Sequence, residues 1–334
     1  MFFPLRFAHE VYVLDRHEIA GATRETSIHI LDTLKLPGNL GLFLIYAGSI
    51  GLMLMLVLFL KSLSNFQKAG KFIDKSTRFV PDFIRIVFGA SLIFSATYNS
   101  MFGPELPLSI FPAPNFLKGL MFILGGALIL GIATRALGAL AAGLWLFTLV
   151  DQGWYMLTYI NYFGEALALV LLPRQVFSLD RVWSKWHQTK PSTFLASEDW
   201  AMPVARLLLG FSVLYAAVNV KFVTSALSLD VVNSYDLTRY FHFDPLFIVL
   251  GAGFVEALIA VLYLLGLAQR FNSIIFIAFM TISIVFFKET VWPHYLLIGL
   301  AIGIFLHRPD KLALDRYLFS PIARKKRRAG AHHR

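Results

Sequence analysis

The sequence predicts an all-α, polytopic membrane protein with about nine transmembrane helices, arranged as two parallel four-helix bundles behind one N-terminal helix. Composition is the first reason: the chain is 57% hydrophobic and 15% charged, with a mean hydropathy of +0.67, whereas a soluble domain averages about 45–50% apolar and 25% charged residues. The second is the series of long apolar runs, which approach the roughly 20 residues an α-helix needs to cross a hydrocarbon core about 30 Å thick. The third is internal self-similarity. One register pairs Gly131 with Gly266, Ala133 with Ala268, Arg135 with Arg270, Val150 with Val285, Gly164 with Gly299 and Ala166 with Ala301. The same register pairs Leu171 with Leu306 and closes on Leu179-Asp180-Arg181 against Leu314-Asp315-Arg316. Identities grouped at segment ends suggest one structural unit made twice. Upstream, Arg85-Ile86-Val87-Phe88-Gly89 answers to Arg206-Leu207-Leu208-Leu209-Gly210 in a register offset by an insertion in the second copy.

Residues 1–38 mix Arg and Lys with Asp and Glu and contain no apolar core of signal-peptide type, so they read as an extracytoplasmic segment. His9, Glu10, Asp15 and His17 lack the spacing of a metal site, and no metal is expected. Residues 39–82 hold the first span, 39–60, and a loop carrying Lys61, Lys68, Lys71, Lys75 and Arg78, which the positive-inside rule assigns to the cytoplasm. The first repeat, 83–181, supplies apolar segments near 83–101, 117–134, 136–151 and 154–173. A cytoplasmic linker, 182–202, follows; the polar connector around it, 174–202, carries Arg174, Arg181, Lys185 and Lys190, with Trp183, Trp186 and Trp200 as interfacial anchors. The second repeat, 203–316, supplies 203–224, 246–266, 271–287 and 292–307, and the basic tail 317–334 ends the chain. Loop charge places the C-terminus in the cytoplasm and the N-terminus outside the cell membrane. An even number of spans per repeat makes the repeats parallel.

The absence of Cys excludes disulfides, thiolate metal sites and iron–sulfur ligation by this chain's own residues. The net charge of +10 sits in short loops and a tail beside apolar spans. That pattern fits contact with membrane lipids, including anionic headgroups at the tail, and no nucleic-acid partner is expected.

In the second repeat, Arg206 opens a helix, Lys221 follows near its end, and Glu256, Gly266 and Arg270 follow on the next helix. This string resembles the DoxX family of small four-helix membrane proteins, whose closing Ser-Leu-Asp is matched by Ser178-Leu179-Asp180 and, less fully, by Ala313-Leu314-Asp315. The resemblance covers both repeats. The first copy departs from the pattern, with Met121 at the position of Glu256 and Ser100 or Met101 at that of Lys221, so any site is expected in the second copy. The resemblance implies a membrane subunit associated with redox enzymes, in some members linked to quinone. Other oxidoreductase subunits are then partners, quinone is a non-covalently bound cofactor, and the chain is at most a membrane subunit of an oxidoreductase complex.

Physical reasoning leads to the same residues. Glu256 lies about 10 residues into its span, near 15 Å at 1.5 Å per residue, which is the midplane of a roughly 30 Å core. A charged acid there costs on the order of 3 kcal/mol or more, so a partner such as Tyr215 or Asn219, or a wet cavity, is expected beside it. Tyr215, Asn219, Lys221, Glu256 and His294 therefore form the candidate quinone or lipid site, with Glu256, Lys221 and His294 as the candidates for chemistry. Glu165 is similarly deep in the first copy but belongs to no motif. Arg85, Arg206, Arg135 and Arg270 read as anchors at helix ends, and Asp180 and Asp315 as structural. A second functional class stays open: a non-catalytic lipid-binding scaffold, or a small-molecule or proton-coupled carrier, in which buried acids couple to the substrate or fix helix packing.

Overall fold

The computed structural model describes residues 29–172, 176–186, 198–287 and 291–319, and among these the chain is built from helices. The first half carries α1 (Asn39–Ser62), α2 (Ser64–Ile73), α3 (Val80–Thr97), α4 (Pro114–Leu130), α5 (Thr134–Gln152), α6 (Ile160–Leu171) and α7 (Leu179–Trp186). The second carries α8 (Glu198–Ala217), α9 (Ser225–Ser234), α10 (Thr238–Phe241), α11 (Pro245–Leu265), α12 (Gln269–Phe287), α13 (Trp292–Leu306) and α14 (Leu314–Phe319). His9, Glu10, Asp15, His17, Arg174, Lys190 and most of the basic tail lie outside the described residues.

Among the described residues, six helical stretches are long and apolar enough to cross a membrane, which fits a multi-pass membrane protein, and Pro114–Leu130 and Trp292–Leu306 are apolar but shorter. The expectation of about nine differs from six for two reasons. Besides these shorter helices, the continuous stretch Thr134–Leu171 holds two helices, because a 3₁₀ turn at Gly153–Tyr159 folds α6 back on α5. Trp145 Nε1 donates to the Tyr159 carbonyl at 2.9 Å across that fold. The expected segment 83–101 also begins and ends earlier than predicted, since α3 starts at Val80 and the chain leaves the helix after Thr97.

The self-similar positions make matching contacts. Both α4 and α11 open with Pro in the first turn and stop at a left-handed glycine, Gly131 (φ 72°) and Gly266 (φ 62°). The N–H two residues past the last helical turn then closes on Ala127 or Leu262, as in a Schellman stop. Ala133 (φ 45°) and Ala268 (φ 51°) follow in a conformation that costs a non-glycine residue about 1–2 kcal/mol. An aspartate offsets that strain in each case. Asp180 accepts the Ala133 N–H at 2.8 Å and the Thr134 N–H at 3.3 Å; Asp315 accepts those of Ala268 at 2.8 Å and Gln269 at 2.9 Å. Each aspartate's own N–H returns to the glycine carbonyl. The closing Leu-Asp-Arg therefore caps, from a distance in sequence, the helix that begins after the glycine.

The arginines near the start of each repeat, expected as anchors at helix ends, complete this knot from within the protein. Arg85 and Arg206 are fully buried. Arg206 forms a bidentate pair with Asp310, Nε to Oδ2 at 2.7 Å and Nη2 to Oδ1 at 3.1 Å, and its Nη1 donates to the carbonyls of Tyr263 and Leu264. Arg85 donates to the Phe177 carbonyl at 2.5 Å and to Asp82 at 3.4 Å, while Asp82 accepts the N–H groups of Val176 and Phe177. The carboxylate thus comes from α3 itself in one half and from the segment after α13 in the other. Burial alone would raise the Asp310 carboxyl, but the hydrogen bonds and charge of Arg206, with the Leu312 N–H and Gln269, hold it below the usual carboxylate range.

The halves interlock through equivalent helices, α6 on α8 and α13 on α3. Gly164 permits the first crossing, since a Cβ there would stand 2.7 Å from Leu208 Cβ, and Gly299 meets Val87 in the same way. One apolar core runs from Val80 in α3 through Tyr162 to Ile304 in α13. In contrast, α1 buries no residue. It is tied at one end by Lys61 to Asp315 at 2.6 Å and edges α11 through Phe43 and Tyr46 against Phe254.

Removing one member of the Arg206 pair leaves an uncompensated buried charge. Arg206→Met is expected to lower stability by about 3–5 kcal/mol, and the double variant Arg206→Met/Asp310→Leu to recover part of the loss. Thermal unfolding in detergent measures both. Because the Asp310 carboxyl is depressed, its contribution is present above the ordinary value of 3.8 and is lost as pH falls through the depressed one.

Candidate functional site

The site begins with a break in helix regularity. Past Ala217, α8 widens into a π-turn, Val218–Val223, whose end is capped by Thr224 donating from its N–H (2.9 Å) and Oγ1 (2.7 Å) to the Asn219 carbonyl. Such turns recur where a helix presents functional groups. This one carries Lys221 to α11 at Gly253, where an added Cβ would stand 2.9 Å from Lys221 Cβ and 3.0 Å from the Phe222 ring. Glycine at 253 is what allows the approach. Glu256, one turn along α11, then comes within 4.0 Å of Lys221 Nζ through Oε1, both side chains being about one-sixth exposed.

The pair stands on the wall of a 940 Å³ cavity that also meets α1, α9, α10 and α12, the start of α13 and the residues leading into α6. Its lining is predominantly aromatic and aliphatic, with Phe241, Phe247, Phe276, Phe279, Phe286 and Phe287 among it. Polar groups are few and placed around that surface, which is the usual make-up of a site for an apolar molecule with a polar head. His294 also lines the cavity, buried at the first turn of α13. Beside it Trp292 donates to Ser95 Oγ at 2.8 Å and stacks on Tyr98.

Of the residues singled out from sequence, Lys221, Glu256 and His294 line one cavity, whereas Tyr215 and Asn219 do not. Tyr215 stacks on Phe211, and the carbonyl of Asn219 closes the π-turn. The polar side chain that approaches Glu256 is Lys221, carried there by the π-turn, and Glu256 itself lines the cavity. Arg270 donates to Phe305 and Gly70 carbonyls and to Asp74 at 2.5 Å, and Arg135 donates to the Leu172 carbonyl at 3.4 Å. Both lie at the end of the molecule away from His294. Among the described residues no group of three or more His, Asp or Glu could hold a metal ion.

Thr158, Tyr159 and Asn161 of the first repeat also line the cavity, and Ser212 of the interlocking α8 bonds to Thr158 and Asn161 there. Sequence reasoning passed over them, although the register that pairs Gly164 with Gly299 also pairs Tyr159 with His294. Tyr46 and Ser49 of α1 also face the cavity, and the signal for them was polarity within an otherwise apolar span. Compared with protein-family models, curated proteins and solved structures, the chain matches none.

The pair is partly exposed and long, so its net contribution to stability is small. Lys221→Met is expected to change stability by less than about 1 kcal/mol. Gly253→Leu, which drives the π-turn off α11, is expected to lower the unfolding temperature clearly in the same detergent assay.

Proposed function

We propose that this chain is a DoxX-like, redox-associated membrane protein whose cavity binds a lipophilic molecule with a polar head, of the quinone class. The observation that carries the reading is the Lys221–Glu256 pair held on the wall of a 940 Å³, predominantly apolar cavity. A quinone offers carbonyl oxygens to an ammonium or imidazole donor and an apolar ring and tail to phenylalanines. In this reading Lys221 and His294 are the donors to the head, and Glu256 fixes Lys221 and holds or releases a proton at its carboxyl. The chain provides binding and proton handling, and an associated oxidoreductase subunit provides the electron path. Two parallel four-helix bundles, residues 83–181 and 203–316, with nine spans in all, make up the architecture. Arg85, Arg135, Arg206, Arg270 and the basic tail lie on the cytoplasmic side of the cell membrane, and the N-terminus lies outside. A reporter fused after Arg334 is then active in its cytoplasmic form only.

The second reading is a lipid-binding scaffold or carrier, and the observation that favours it is the unburied α1, which forms one cavity wall with a face toward the bilayer. Titration of a short-chain ubiquinone into the purified protein separates the two. Loss of one charge-assisted hydrogen bond corresponds to about 1.5–3 kcal/mol, or roughly 10- to 100-fold in affinity. Lys221→Met is expected to weaken binding by that amount and Glu256→Gln by less. Unchanged binding in both variants contradicts the quinone site, and copurified phospholipid displaced by neither variant nor quinone favours the scaffold.

A further inference from the structure

The cavity continues into the seam between the halves, where α6 and α8 cross. Asn161 lines it and accepts from Ser212 Oγ at 3.3 Å through Oδ1, while Ser212 also donates to the Thr158 carbonyl. Asn161 is 2% exposed and its Nδ2 makes no hydrogen bond. One turn deeper on the same face of α6, Glu165 is fully buried, and neither carboxyl oxygen has a hydrogen-bond partner. Asn161 and Glu165 are four residues apart on α6, the spacing at which side chains on a helix are neighbours. On the packed helices, Ser91 of α3 is taken up by Tyr162 at 2.7 Å, and Arg85 and Arg206 are committed to Asp82 and Asp310 at the far ends of α3 and α8. None of these cations, nor Lys221 or His294 in the cavity, hydrogen-bonds the Glu165 carboxyl.

A bare carboxylate in that position would be an isolated ion in a dry interior, which proteins avoid by neutralising the group. A neutral acid fits better, since its O–H and C=O match the acceptor and donor of a primary amide one turn away. A bound metal cation is a poorer occupant. It would require several oxygen ligands, and the unpartnered atom one turn away on α6 is the amide nitrogen of Asn161. We infer that Glu165 is a proton-binding site, holding its proton as a carboxylic acid at the seam between the halves and exchanging it with the cavity by way of Asn161. No covalent step is involved: the proton moves between the Glu165 carboxyl and water or ligand in the cavity. The inference deepens the proposed function and rests on the cavity as the ligand site. It assigns a second protonatable acid, from the first repeat, to a cavity whose other acid, Glu256, comes from the second.

Infrared difference spectroscopy of the full chain in lipid nanodiscs, on transfer from H₂O to D₂O, tests it. A protonated-carboxyl C=O band that shifts on deuteration is expected in the wild type, lost in Glu165→Gln and retained in Glu256→Gln. Asn161→Leu is expected to retain the band and slow its deuteration several-fold. Glu165→Leu removes a buried unpaired polar group and is expected to unfold at or above the wild-type temperature, which shows that loss of the band does not report misfolding. A band untouched by Glu165→Gln overturns the proton site, and unaltered deuteration in Asn161→Leu overturns the route. Failure of ubiquinone binding with the band intact counts against the quinone reading and leaves the proton site standing.

Discussion

The buried arginines are the constraint on which the rest of the architecture depends. A guanidinium with no solvent exposure needs acceptors, and Arg206 finds them only where the end of α11 and the segment after α13 converge on it, with Gln269 at the start of α12 donating to the same Asp310. That convergence fixes where Gly266 turns and where Asp315 reaches Ala268 and Gln269. Arg85 draws in Phe177 through Nη2, and Asp82 beside it holds Val176 and Phe177, while Arg85 Nε and Nη1 have no hydrogen-bond partner. Because the two knots lie at one end of the helices, the other end is free to carry irregular structure. The π-turn, α9, α10 and the cavity occupy that freedom.

The second half departs from the first where the cavity forms. Insertion between α8 and α11 leaves room for the π-turn and the short helices that follow it, whereas the connection between α3 and α4 is compact, with Met101 and Phe102 buried in the core. Met121 likewise fills, in the first half, the place that Glu256 holds in the second. One copy therefore packs its interior while the other encloses space. The seam links them, since α6 sends Asn161 to the cavity and Glu165 into the core. The N-terminal helix stands apart from both, attached chiefly to the second half by Lys61 on Asp315, Thr33 on Asp244, and the pairing of Arg270 with Asp74 just beyond α2. It is a wall of the cavity and buries none of its own residues.

Helical class and membrane character were legible from composition and apolar length, because those properties are sums over many residues and tolerate local error. The correspondence of Gly131, Ala133, Arg135 and Asp180 with Gly266, Ala268, Arg270 and Asp315 was legible for a sharper reason: left-handed turns and remote caps require particular residues at fixed positions. What those residues do was not legible. A lone arginine at a helix end has the same sequence signature whether it faces headgroups or is buried against an aspartate more than a hundred positions away. The cavity beside Glu256 was foreseeable from the cost of a deep acid, but its contact with Lys221 was not, because Lys221 sits in the π-turn at Val218–Val223 and helical periodicity assumes a regular α8. Asn161 and Ser212 escaped notice since their relation exists only where the halves cross.

The central claim is that the space beside Lys221 and Glu256 is a binding site for an amphipathic lipophile. An experimental density map of the protein extracted directly into native-membrane nanodiscs tests it without a choice of ligand. The account predicts an elongated density within the cavity, its head beside Lys221 and His294 and its tail among Phe276, Phe279 and Phe286. An empty or collapsed cavity, with α1 packed down onto α11 and α12 and the Lys221–Glu256 pair closed to ordinary salt-bridge distance, would contradict it.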